Sequence, residues 1–383
     1  MSETVQRYYV PQLDGLRFFA FMLVFIHHFT PTAESFVDFE LLLSFLMVLQ
    51  DYGWAGVDLF LVLSAFLITN LLLLEQQRTG SISLKNFYIR RSLRIWPLYY
   101  LMILLGFFIN PIVSGKFAVP DHQKLLAEHF LPYLAFLGNY SAGIHNYAES
   151  RFLAHLWTIS LEEQFYILWP VLLVLLVSKR KVLTWVLLGL LGFSVSLRYY
   201  FLMQQAVHPQ IWTNLFTRFD PLVLGTLLAL YRSRNPATGR GDGLKYLGGI
   251  SLVVLPTFFP NIDTHSIHVV WQYLSVALGF CLLLDASLAG VVRLPHLILT
   301  GKPIVWLGKL CYGLYVYHLI GINVAKKLQR SLHLAPGSEL TWIVTIILAL
   351  IVTVFLSYVS YNFFEKKFLR LKNKFTIVQS RPA

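Results

Sequence analysis

Charge is scarce in this chain. Only 13% of its 383 residues are Asp, Glu, Lys or Arg, while 56% are hydrophobic. A water-soluble protein of this length needs far more charge to cover its surface, so the composition excludes one and points to a polytopic membrane protein. Strict alternation of apolar and polar residues is also lacking, which excludes an outer-membrane barrel. There are two cysteines, Cys281 and Cys311, both inside apolar runs. They suggest neither a disulfide framework nor a metal site, and core packing accounts for them. The first apolar run follows a polar start and has no small-residue cleavage site behind it, so it reads as a helix that stays rather than a signal peptide. No low-complexity tract, internal repeat or appended soluble domain is visible, and residues 1–383 read as one integral-membrane domain.

What is present is a series of apolar segments. An all-α transmembrane bundle of ten spans is expected, at 15–31, 57–74, 95–110, 157–177, 182–202, 216–231, 246–260, 267–286, 304–324 and 340–360. An eleventh piece, 125–140, is interrupted by Pro132 and carries Glu128 and His129; it is expected to be re-entrant or interfacial. With ten spans, 22 Lys and Arg fall on one side and 8, among them Arg198 and Arg218, fall on the other. This asymmetry places both termini in the cytoplasm, and the net charge of +12 is then topological, with no nucleic-acid partner implied. Loop 32–55, with Glu34, Asp38, Glu40 and Asp51 and no cation, agrees with that orientation.

The polar residues left at membrane depth are the functional candidates, because such groups are costly and usually face a cavity or a partner. Arg17 and His28 are eleven residues apart in LDGLRFFAFMLVFIHHF. On a helix they share a face and are separated by about 16 Å. Asp58 opens the second span, Glu162 and Glu163 sit in the outer part of the fourth, and Arg218 and Asp220 stand at the entry of the sixth. At seven residues' spacing His155 is expected on one helix face with Glu162, and Tyr166 continues it. At the cytoplasmic entry of the third span stand Arg90, Arg91 and Arg94; arginine suits bidentate phosphate capture, and Tyr88 and Trp96 are placed to flank a planar base. Phosphate recognition below and acid–base groups above describe a two-substrate site.

LDGLRFFAFMLVFIHHF, GVDLFLVLSAFLIT, FYIRRSLRIWPLYY, HLWTISLEEQFYILWP, RFDPLVLGTLLA, WLGKLCYGLYVYHLIG and SYNFFEKKF resemble, in this order, the motifs of the acyltransferase type 3 family, over about residues 11–370. The resemblance implies a membrane O-acyltransferase of the inner (plasma) membrane. It would move an acyl group, usually acetyl, from cytoplasmic acyl-CoA, a donor substrate rather than a resident cofactor, to a carbohydrate hydroxyl on the far side. Carried onto this chain, the family pattern matches Arg17, Ala20 and His28, with His27 fitting the spacing less well. Arg90, Arg91 and Arg94 match its donor motif, Glu162 to Tyr166 its Glu-Glu-Gln-Phe-Tyr motif, and His318 another family position. Ala65 stands where glycine is usual. Some members carry a C-terminal esterase-like domain; a chain without one is expected here.

His28 is then the general base or an acyl carrier, and Asp58 either orients its imidazole or caps a helix. Arg17 with Arg90, Arg91 and Arg94 would bind the donor, and Glu162 or Glu163 would help build the acceptor or catalytic site. Ser64 reads as a small packing residue, and Lys366 and Lys367 as topological anchors. The rival reading is a transporter or flippase using the same polar path.

Overall fold

The computed structural model describes residues 8–29, 40–332 and 339–378, and these form helices and connecting turns without a strand. Glu34 and Asp38 of the acidic loop, together with Arg7 and Arg381 at the ends, lie outside the described residues.

Helix α1 (Pro11–His28) starts on a proline, whose missing N–H is no loss in the first turn, and carries Asp14 where the helix dipole favours an anion. Then come α2 (Glu40–Tyr52) and α3 (Ala55–Thr79); Gly80 ends α3 at φ 75°, a left-handed conformation suited to glycine. Helix α4 (Leu84–Leu104) is capped by the Ser83 side chain and continues through a π turn, Leu105–Ile109, into Asn110–Val113. It therefore begins before the expected span 95–110 and includes Arg90, Arg91 and Arg94. After these come α5 (Pro120–Leu134), α6 (Gly138–His145), α7 (Trp157–Leu176), α8 (Arg180–Met203), α9 (Phe219–Arg232) and α10 (Asp242–Val254). The chain continues with α11 (Val269–Ala289), α12 (Arg293–Thr300), α13 (Lys302–Lys309), α14 (Cys311–Ser331), α15 (Glu339–Ser360) and α16 (Lys366–Asn373).

Among the described residues, six helices are long and apolar enough to cross a membrane: α3, α4 with its extension, α7, α8, α11, and α15 continued into α16. The expected span 304–324 is a bent pair, α13 and α14, angled by 79°. Helices α9 and α10 have 14 and 13 residues, about 20 Å at the usual rise, short of a hydrocarbon core of about 30 Å. Segment 125–140 is broken between Leu134 and Gly138, and neither α5 nor α6 is long enough to span alone. The chain is an integral membrane protein that combines long apolar helices with shorter ones.

Helix α3 is central and packs on α1, α9 and α11. Small residues allow this closeness: a Cβ on Gly225 of α9 would overlap the backbone oxygen of Val62 on α3. Gly308 of α13 lies likewise against the backbone of Asp14 on α1. One turn further, the Cys311 thiol donates to the carbonyl of Arg17 at 3.1 Å. The bend between α13 and α14 thereby wraps the start of α1 and sets the position of Arg17.

Candidate active site

One cavity, with about 1420 Å³ of atom-free space including its mouth, is lined by α1, α3, α4, α7, α14 and the residues after α15. Its basic end contains all four arginines expected to bind a donor: Arg17, Arg90, Arg91 and Arg94. They are not equivalent. Arg17 pairs with buried Asp14 at 2.8 Å. Arg90 donates to Glu75 Oε2 and to the carbonyl of Phe375, each at 2.8 Å, so it ties α3, α4 and the C-terminal segment together. Arg91 lies 5.6 Å from the ring centres of Phe87 and Tyr166. The aromatic residues expected to flank a base do not line the cavity: Tyr88 donates to Ile167 O, and the Trp96 indole to Glu163. Phe87, one residue before Tyr88, lines it instead, as does Tyr166.

Midway, Glu162 accepts from Ser64 at 3.2 Å and from Tyr166 at 2.9 Å. Glu162, Ser64 and Tyr166 all face the cavity. Four expectations are corrected here. Ser64 is a hydrogen-bonding wall residue, not only a packing one. Glu162 lies between the arginines and the far end instead of at the depth of His28, because Ser64 is ten residues into α3, about 14 Å along its axis. Glu163 is turned to α4, where Trp96 Nε1 donates to it at 3.0 Å, and is not part of the cavity wall. His155 does not share a helix face with Glu162 either, since it sits in the turn before α7 begins at Trp157.

The far end is closed by Thr158 and Tyr315, whose hydroxyls are 2.5 Å apart; Tyr315 Oη also donates to the carbonyl of His155 at 3.0 Å. Behind this pair three imidazoles meet. The ring of His318 is 4.9 Å from His28 and 5.0 Å from His155, and Tyr315 is 5.6 Å from His318. Backbone carbonyls set the tautomers, since a carbonyl only accepts. His28 Nδ1–H donates to Val24 O at 2.8 Å and His318 Nδ1–H to Tyr315 O at 2.6 Å. His318 Nε2 is thereby left as an acceptor, 3.4 Å from His28 Nδ1. His28 Nε2 keeps its lone pair, as a general base needs.

His28 itself is not in the cavity wall. The expected open path from the arginines to His28 therefore runs as far as Thr158 and Tyr315, and one aromatic layer separates its end from the imidazoles.

Asp58 does not orient His28, and it is not a helix cap. It lies in the first turn of α3, where Oδ1 accepts from Arg218 Nη2 at 2.7 Å with both residues buried. The cause is helix phase. Gly56 faces α1, against Ala20, Leu23 and Val24, so Asp58, turned about 200° further, points to α9. Arg218 is stacked between Trp212 and Tyr273 at 3.8 and 4.3 Å, a strong cation–π arrangement. Beside it Arg198 makes a two-pronged bond to Asp220, at 2.5 and 2.9 Å. Counted above as outer-loop cations, Arg198 and Arg218 are fully buried inside the bundle. Thr158 and Tyr315 fall inside two of the quoted motifs, but nothing in the sequence singled out their hydroxyls or the Val24 carbonyl that holds His28. His318 was marked beforehand only as a match to a family position.

Comparison with known proteins gives a consistent picture. The family described as acyltransferase domain matches residues 10–362. The protein named "Putative O-acetyltransferase" from Staphylococcus aureus (strain COL) is 27% identical over 376 residues, 94% of this chain and 57% of the relative. The peptidoglycan O-acetyltransferase OatA of Listeria monocytogenes serovar 1/2a is 27% identical over 332 residues, 82% of this chain and 49% of its own. That named "Putative peptidoglycan O-acetyltransferase YrhL" from Bacillus subtilis (strain 168) is 27% identical over 392 residues, 95% and 55%. The chain thus spans about half the length of these relatives. No solved structure matches.

Proposed function

The chain belongs to the acyltransferase domain family, and on that premise we propose that it is a membrane O-acetyltransferase. It takes acetyl from acyl-CoA on the cytoplasmic side and delivers it to a hydroxyl of a cell-wall glycan on the other side. In this reading both termini are cytoplasmic and the protein lies in the plasma membrane. The relatives named peptidoglycan O-acetyltransferases support the glycan as acceptor class.

One observation carries the reading: a single cavity has four arginines at one end and, at the other, a tyrosine packed on the imidazole that contacts His28. The arginines take the donor phosphates, and the pantetheine arm runs along Ser64 and Glu162. The Thr158–Tyr315 pair moves aside to let the thioester reach His28. His28 Nε2 removes the proton of the acceptor hydroxyl as its oxygen attacks the thioester carbonyl. The C–S bond then breaks, and the departing thiolate receives that proton from the imidazolium. General-base assistance of this kind is worth about 10²–10⁴-fold in rate.

The test is to incubate the purified protein, in lipid, with labelled acetyl-CoA and peptidoglycan fragments. Label on a glycan oxygen, lost in His28→Ala, is the expected result. Movement of a sugar or lipid without acetyl-CoA, and no label transfer, would establish the transporter reading instead.

A further inference from the structure

Among the described residues five cations follow the last long apolar helix, Lys366, Lys367, Arg370, Lys372 and Lys374. By position alone all five are cytoplasmic anchors. Four of them are exposed, but Lys372 is half-buried and lines the cavity together with Thr376 and Val378. The segment is held in that place: α16 packs against α4, Arg90 on α4 donates to Phe375 O at 2.8 Å, and Val378 is buried at the far end of the turn.

From this we infer that Lys372 and Thr376 belong to the donor site, as a second wall that takes phosphate groups opposite Arg91 and Arg94. The inference rests on the donor reading above. Five cations line the cavity, Arg17, Arg90, Arg91, Arg94 and Lys372, against two carboxylates, Glu75 and Glu162. A cavity with that excess of one sign concentrates polyanions. Its cations come from α1, α4 and α16, so a chain of phosphates is gripped from several sides. The arginines offer flat two-pronged donors, whereas the lysine offers a compact charge that follows a phosphate as it settles. Arg90, with one Nη on Glu75 and the other on Phe375 O, serves as the strut that positions the wall.

The experiment measures equilibrium binding of CoA to the full chain in lipid nanodiscs. Lys372→Met should weaken CoA about tenfold, in line with one hydrogen bond to a charged group, and Lys372→Arg should restore most of the affinity. Thr376→Glu, which puts an anion into the same wall, should weaken it at least as much. Lys366→Met and Lys374→Met, on exposed positions of the same segment, should bind as wild type, and thermal unfolding should be unchanged in all of them. The difference between wild type and Lys372→Met should shrink as salt is raised. Unchanged CoA affinity in Lys372→Met and Thr376→Glu, with loss in Arg91→Ala and Arg94→Ala, would overturn this inference and leave the donor reading standing. An equal loss in Lys366→Met would also overturn it, since the effect would then belong to general surface charge. No CoA binding by the wild type would overturn the donor reading itself.

Discussion

His318 Nε2 lies 3.4 Å from His28 Nδ1, whose hydrogen goes to Val24 O at 2.8 Å, while the carbonyl of Tyr315 holds the other side of the His318 ring. In the proposed reaction the neighbouring imidazole would help hold the His28 ring and share the charge formed when Nε2 takes a proton. His28→Ala should abolish acetyl transfer with CoA affinity unchanged. His318→Ala should lower kcat by about 10–100-fold, part of what general-base catalysis supplies, with KM for acetyl-CoA unmoved. Steady-state kinetics on both variants check this, and a KM effect without a kcat effect in His318→Ala would count against it.

The basic end divides into residues that grip and one that braces. Arg91→Ala and Arg94→Ala should each raise KM for acetyl-CoA by about tenfold or more, as expected for a lost charge-assisted bond. Salt should reduce the difference. Arg90→Ala removes bonds to Glu75 and to Phe375 O and should in addition make residues 366–378 more accessible to protease. Limited proteolysis of the three variants separates the two roles.

Asp58 and Arg218 form a buried pair. Removing one partner leaves an uncompensated charge at a cost of about 3–5 kcal/mol. Asp58→Ala should therefore lower thermal stability in detergent sharply, and the double variant Asp58→Asn with Arg218→Met should recover part of it. An Asp58→Ala protein of normal stability but without activity would return Asp58 to a catalytic role.

Gly308 has no room for a side chain beside the backbone of Asp14. Gly308→Ala should cost about 1–3 kcal/mol, as overpacking does, and should displace α1 together with Arg17. Melting temperature and KM for acetyl-CoA should both shift, whereas Gly189→Ala, where a Cβ meets nothing within 4 Å, should leave both alone.

Much of the site was readable in the linear pattern because membrane insertion penalises every buried charge. Arg17, Arg90, Arg91, Arg94 and Glu162 were singled out on that ground or by motif, and they share one cavity. Asp58 and Glu163 carried the same signal and face elsewhere, toward Arg218 and Trp96. Cost at depth reveals that a polar group has a partner; it does not reveal which one.

Scarce charge, long apolar runs and ordered motifs were enough by themselves to determine a helical membrane protein and its family. Those properties are additive along the chain and need no neighbours. Tertiary structure alone decided that His28 leans on His318, that Asp58 belongs to Arg218, and that α9 and α10 are too short to span unaided. The reason is geometric: a helix turns about 100° per residue, so which partner a side chain meets depends on how each helix is rotated and packed against the next.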